Sequence, residues 1–163
     1  MSKRSVLLMV FTLTTVLAVA FTIAAQSADP WFGMWKKNLA KSTYSDRSQP
    51  NLGAIRKEEP WDGGLKSTLD GFDTQGRATH SEIIAKFDGK DYPLKGAAVA
   101  VNTTRAYTRI DDRTLEYVTK VDGKVLTTVR TVHSTDGKTS TTTVTGKNAQ
   151  GQTVNNTIFW DRQ

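Results

Sequence analysis

The sequence predicts an all-β protein, a single antiparallel up-and-down β-barrel of roughly ten strands. Segments of strand length rich in threonine and valine recur, turn residues separate them at short intervals, and no segment carries a capped helical stripe. Asp-Gly-Lys occurs three times, beginning at Asp88, Asp122 and Asp136. Because Asp-Gly accepts the positive φ angles of a tight type I′ turn, each copy is predicted to join two neighbouring strands.

The strands are predicted in chain order from these signals. A first strand opens at Trp31 to Trp35 and gives way to a polar loop over 36–48, with at most one helical turn after Leu39. A second strand runs from Leu52 to Glu58 and ends at Pro60, because proline cannot donate to a β-ladder. The remaining strands are predicted at 65–72, 79–87, 92–94, 105–110, 114–121, 124–133, 138–146 and 153–160.

A barrel is favoured over a β-sandwich, which remains the alternative architecture. An open sheet of this many strands would expose long edges that could pair with another chain, and closure removes them. A sandwich normally needs longer Greek-key connections, and only the loops near Ser48 and Ala100 are long enough. One barrel domain is predicted over 29–163, since the length suits a single hydrophobic core.

The N-terminus predicts export to the periplasm or the cell exterior. Lys3 and Arg4 precede an uncharged, mostly apolar run from Val6 to Ala25, and small residues follow. This pattern is typical of a signal peptide, predicted at 1–25, whose removal leaves no stable membrane span. A retained anchor is the alternative. The chain has no cysteine, which excludes disulfides, thiol catalysis and thiolate metal sites.

Charge and motifs argue against nucleic-acid binding and against catalysis. The formal net charge is +6, and basic residues alternate with acidic ones along the chain rather than concentrating on one segment. No Ser-His-Asp order and no glycine-rich phosphate loop is recognisable, so no enzyme activity and no cofactor is predicted. His80 and Glu82 share a strand face, but a metal site would need His133 as a third ligand, so none is predicted.

The first strand resembles a known family. Gly33-Met34-Trp35, two residues after Trp31, resembles the Gly-x-Trp opening of the lipocalins and fatty-acid-binding proteins, together called calycins. The wider pattern also resembles exported bacterial proteins with lipocalin-like barrels. The resemblance implies that Trp35 closes the barrel floor against a basic residue at the end of the last strand. Gly33, Trp35 and Arg162 are therefore the predicted barrel-closure residues.

The chain departs from the fatty-acid-binding pattern at two places. The segment 39–51 is too short for a two-helix lid, and the last strand lacks the Arg-x-Tyr that this family uses to hold a carboxylate. Arg105-Ala106-Tyr107 lies elsewhere and is continued by Arg109, so strand alternation puts Arg105, Tyr107 and Arg109 on one face. Pointing inward, they could hold a carboxylate or phosphate. The outward orientation is favoured, because charged residues are rarely buried unpaired.

The predicted function is non-enzymatic binding of a small hydrophobic or amphipathic molecule in the barrel interior. Arg105, Tyr107, Arg109 and Tyr117 are the candidate ligand-binding residues. Over 125–132 each strand face mixes apolar and polar residues, which would suit a hydrated cavity: Val125, Thr127, Val129 and Thr131 alternate with Leu126, Thr128, Arg130 and Val132. The alternative is an envelope or secreted interaction module whose barrel is filled by side chains and whose loops over 45–52 and 96–103 contact a protein or glycan. An enzyme using His80, Glu82 or Arg105 is a third hypothesis.

Overall fold

The computed structural model describes residues 29–45, 52–73 and 75–163. The predicted signal peptide at 1–25 lies outside these residues. Within them the chain forms β-strands and no helix, so no helix there is long and apolar enough to cross a membrane. The ten strands are β1 Gly33–Thr43, β2 Ile55–Trp61, β3 Gly64–Phe72, β4 Ala78–Lys86, β5 Asp88–Pro93, β6 Thr103–Arg109, β7 Thr114–Val121, β8 Lys124–His133, β9 Thr139–Lys147 and β10 Thr153–Arg162.

All ten strands belong to one antiparallel sheet that curls into a nearly closed barrel. Chain neighbours lie side by side from β1 to β4 and from β5 to β10, and β1 pairs with β10. The two ends of the sheet are β4 and β5. Glu82 of β4 meets Lys95, two residues after the end of β5, in an isolated bridge with backbone hydrogen bonds of 2.8 and 2.9 Å. The prediction of an all-β up-and-down barrel is confirmed, and the architecture is compatible with a calycin-like fold.

The turns agree only in part with the Asp-Gly prediction. Asp122 and Gly123 have φ angles of 49° and 74°, as a type I′ turn requires, and they join β7 to β8. The prediction is wrong at Asp88, which begins β5 at a register shift instead of forming a hairpin turn. At Asp136 the copy does join two neighbouring strands, β8 and β9, but not by a type I′ turn. A longer loop closes there by a 3.0 Å bond from Gly137 N–H to the Ser134 carbonyl.

The first strand is longer than predicted, and the second is displaced by three residues toward the C-terminus. β1 continues to Thr43 because β10 supplies a pairing partner, with Asn38 opposite Phe159 and an irregular register beyond it. The predicted loop and helical turn after Leu39 are therefore wrong as far as Thr43. β2 passes through Pro60, because β1 pairs β2 only as far as Glu58 and leaves an edge where proline is tolerated.

One end of the barrel is filled by side chains, and we call it the closed end. The segment before β1 folds across it, and the Trp31 indole N–H donates to the Asp112 carbonyl at 3.0 Å. The packed residues at this end are Trp31, Leu65, Ile83, Ala85, Tyr107 and Leu115. The opposite, open end carries the connections 94–102, 122–123 and 148–152.

Close packing of β3 on β4 makes Gly64 a sensitive position. A Cβ atom there would lie 2.0 Å from the Ala85 carbonyl oxygen, so the two strands would have to separate. We expect Gly64→Ala to lower the free energy of unfolding by about 1–3 kcal/mol. Thermal unfolding followed by far-UV circular dichroism checks this. Gly53→Ala is the matched control, since no atom lies within 4 Å of its added Cβ, and equal melting temperatures for the two variants would contradict the prediction.

Candidate functional site

Gly33, Trp35 and Arg162 meet at the closed end. Trp35 lies opposite Arg162 across the β1–β10 pair, and the guanidinium carbon of Arg162 is 5.0 Å from the Trp35 ring centroid. Arg162 also donates to the carbonyls of Phe32 and Gly137. Gly33 has φ 146°, and a Cβ there would lie 2.9 Å from Arg162 Nη2, so glycine permits the close approach. These contacts seal the floor of the barrel.

His133 is buried beside this seal. Its ring centroid lies 4.1 Å from that of Trp31 and 4.5 Å from that of Trp35, and neither ring nitrogen has a hydrogen-bond partner among the described residues. Burial, followed by the positive charges of Arg56 and Arg162, lowers the pKa of His133 to about 3. The imidazole is therefore neutral at physiological pH.

The three side chains considered as metal ligands do not converge. His80 lies on the exposed surface, where its Nδ1 is 2.7 Å from Asp70 Oδ1, and Glu82 pairs with Lys66 at 2.8 Å. His133 lies in the closed end, inside the barrel. No group of three or more histidine, aspartate or glutamate side chains within the described ranges is placed to hold a metal ion.

Above the packed floor the barrel encloses a cavity of about 280 Å³. Its apolar lining includes Leu69, Leu115, Val129, Val144, Ile158 and Trp160. Its polar lining includes Arg56, Glu58, Arg105, Tyr107, Tyr117 and Asn156, with Thr119, Thr127, Thr131 and Thr142. The interior therefore offers both an apolar surface and hydrogen-bonding groups, as an amphipathic ligand requires.

Arg105, Tyr107 and Tyr117 come together in this cavity. The rings of Tyr107 and Tyr117 are 4.7 Å apart, and the guanidinium carbon of Arg105 lies 4.7 Å from the Tyr117 centroid. Burial raises the pKa of Tyr107 to about 12, so its phenol stays protonated and able to donate. The favoured outward orientation is wrong for Arg105 and Tyr107. A tyrosine face beside the guanidinium and a cavity in front of it make the inward position tolerable.

Arg109 lies apart from the other three candidates. It follows Arg105 and Tyr107 along the same strand but reaches the closed end, where it binds Asp29 through two hydrogen bonds of 2.8 and 3.2 Å. This bidentate pair ties the segment before β1 to β6. Arg109 does not line the cavity, and its charge is already matched by Asp29.

Arg56 and Glu58 are cavity residues that the sequence did not single out. Arg56 Nε lies 3.6 Å from Glu58 Oε1, and the guanidinium carbon lies 4.6 Å from the Trp160 ring. Glu58 Oε2 is buried without a hydrogen-bond partner among the described residues, and burial raises the pKa of this carboxyl group despite the opposing charge of Arg56. Charged residues occupy every position from 56 to 59, so only the i, i+2 spacing of Arg56 and Glu58 could have indicated an inward pair.

The cavity carries an excess of positive charge, and Arg105 stands at its entrance. Arg56 is matched by Glu58, whereas no carboxylate of the described residues forms an ion pair with Arg105. A second space of about 390 Å³ at the open end is lined by Lys37, Phe72, Leu94 and also Arg105. Arg105 therefore lies between the mouth of the barrel and its interior.

Comparison of the chain with protein-family models, with curated proteins and with solved structures finds no match. The interior combines a sealed floor, a semi-polar cavity and a half-buried guanidinium at the entrance, an arrangement that can retain a small molecule with an anionic group.

Proposed function

We propose that this chain is an exported, non-enzymatic protein that holds a small hydrophobic or amphipathic molecule inside a calycin-like barrel. The observation that carries the proposal is the cavity of about 280 Å³, which lies above a sealed floor and below an open mouth. Ligand sites are typically concave spaces that combine apolar surface with placed polar groups, and this interior offers both. Export rests on the N-terminal sequence pattern, and the calycin relation rests on Gly33, Trp35 and Arg162.

Native mass spectrometry of the mature protein, purified gently from its own host, tests the proposal. We expect a reproducible added mass in the range of a small molecule, which disappears when the protein is denatured. Val144→Trp should abolish the added mass, because the larger ring fills the cavity that Val144 lines. Val132→Trp is the matched control, since Val132 is exposed on the outer face. A bare chain mass that stays bare after incubation with lipid extract would contradict the proposal.

An interaction module is the second candidate function. The observation that favours it is Val101, which is 82% exposed in the connection between β5 and β6. An exposed apolar side chain at the tip of an open-end loop is suited to contact with another macromolecule. The loop over 45–52 is also predicted to contact a partner, but its residues 46–51 lie outside the described part of the chain. A bare native mass together with a binding partner lost in Val101→Asp would favour this candidate over ligand storage.

A further inference from the structure

Strand register places Arg105, Thr119 and Thr127 side by side in the barrel wall. Arg105 pairs with Thr119 across β6 and β7, and Thr119 pairs with Thr127 across β7 and β8. All three residues line the interior cavity. The same register places Tyr107, Tyr117 and Val129 one level deeper. A guanidinium group and two hydroxyl groups therefore occupy one level of the interior, which we call the Arg105 row.

The Arg105 row lacks an anion. Arg105 Nε is buried and has no hydrogen-bond partner among the described residues, and none of their carboxylates forms an ion pair with this guanidinium. Glu58, the acidic residue lining the cavity, is already paired with Arg56 at 3.6 Å. Burying a guanidinium without a negatively charged partner costs free energy. A ligand that carries a negative charge would offset this cost and would therefore bind here most favourably.

We infer that the Arg105 row binds the carboxylate group of a compact organic acid whose body points down into the cavity. This inference rests on the proposed function and specifies its ligand. Arg105 lines both the mouth and the interior, so a head group bound there leaves the deeper space for the body. The guanidinium can donate to both carboxylate oxygens, and the hydroxyls of Thr119 and Thr127 add donors from the neighbouring strands.

The charge and the volume of the cavity restrict the class of ligand further. Two arginines and one glutamate line the cavity, so a single negative charge balances it and a dianion exceeds it. The cavity of about 280 Å³ lies at the small end of the roughly 300–1,000 Å³ that is typical of ligand pockets, so the body of the ligand is expected to be compact. Val129, Val144 and Trp160 provide the apolar contacts for the body.

Isothermal titration with a matched set of probes tests the inference. The probes are 4-phenylbutyrate, its primary amide and 3-phenylpropyl phosphate, which share the phenylpropyl body and differ in the head group. We expect the wild-type protein to bind the carboxylate at least tenfold more tightly than the amide or the phosphate ester. Arg105→Met should weaken carboxylate binding at least tenfold and leave amide binding unchanged. The matched control is Arg130→Met, because Arg130 pairs with Glu116 on the outer face of the same sheet.

A second variant keeps the test valid if Arg105→Met folds poorly. Thr119→Val together with Thr127→Val preserves side-chain shape and removes only the two hydroxyls of the Arg105 row. We expect this double variant to weaken carboxylate binding by about threefold to tenfold. Native mass spectrometry of Arg105→Met supplies a readout that does not depend on the probes, since a carboxylic-acid cargo should be lost.

The outcomes separate the inference from the proposed function. Equal affinity for acid and amide, tighter binding of the phosphate ester, or a native cargo without a carboxylate would overturn the inference and leave the proposed function standing. Unchanged carboxylate binding in both Arg105→Met and the double threonine variant would also overturn it. A wild-type protein that binds no probe and carries no native cargo would overturn both.

Discussion

Replacing Trp35 with alanine is expected to lower the free energy of unfolding by about 3–5 kcal/mol, the range typical of a buried aromatic truncated to alanine. Trp35 is 0% exposed, and its ring is packed against His133 at 4.5 Å and against Arg162 at 5.0 Å. Its removal leaves a cavity at the barrel floor and removes one aromatic contact from each neighbour. Urea denaturation followed by far-UV circular dichroism, at constant pH, measures the change.

Trp61→Ala is the control for this prediction. Trp61 lies at the end of β2 and is 51% exposed, so its truncation should change the free energy of unfolding by less than about 1 kcal/mol. The comparison isolates burial, since both variants lose the same side chain. A Trp35→Ala cost no larger than that of Trp61→Ala would show that the floor seal does not stabilise the barrel. Cargo retained in Trp35→Ala at low temperature would show that the seal and the cavity are separable.

The fold could be predicted from local signals because an up-and-down barrel is built from hairpins. Each hairpin needs only two strands and a turn that are adjacent in sequence, and turn residues such as Asp122 and Gly123 mark them. The details that failed depend on partners that are distant in sequence. β1 extends to Thr43 because β10 lies beside it. The local sequence of residues 36–43 does not indicate that they pair with a strand more than a hundred residues away.

The candidate site was harder to predict because its strands have no clear apolar face. On β6, Thr103, Arg105, Tyr107 and Arg109 alternate with Thr104, Ala106 and Thr108, so neither set is recognisably the core. The rule that charges face solvent assumes a core filled with apolar side chains. In this barrel Arg105 points inward to a cavity and a tyrosine ring, so the rule fails at the residue with the strongest claim to function.

His133 should make the barrel sensitive to mild acid, and a substitution can isolate this effect. Burial, followed by Arg56 and Arg162, lowers the pKa of His133 to about 3 in the folded protein, against about 6.5 in an unfolded chain. As the pH falls below about 6.5, His133 becomes protonated in the unfolded chain but stays neutral in the folded protein. The free energy of unfolding therefore decreases, by about 2 kcal/mol between pH 8 and pH 5 from this residue alone.

His133→Phe should remove this dependence and be neutral or stabilising at pH 8, because the aromatic contacts with Trp31 and Trp35 remain and two buried nitrogens without described partners are lost. Urea denaturation at pH 8, 6.5 and 5 gives the difference between wild type and variant. Glu58, whose raised pKa acts in the opposite direction, is present in both and largely cancels. His133→Gln, which also cannot titrate, should lose the same pH dependence. If the difference in free energy of unfolding between wild type and these variants stays constant from pH 8 to pH 5, the folded protein protonates His133 as readily as the unfolded chain does, and the prediction is wrong.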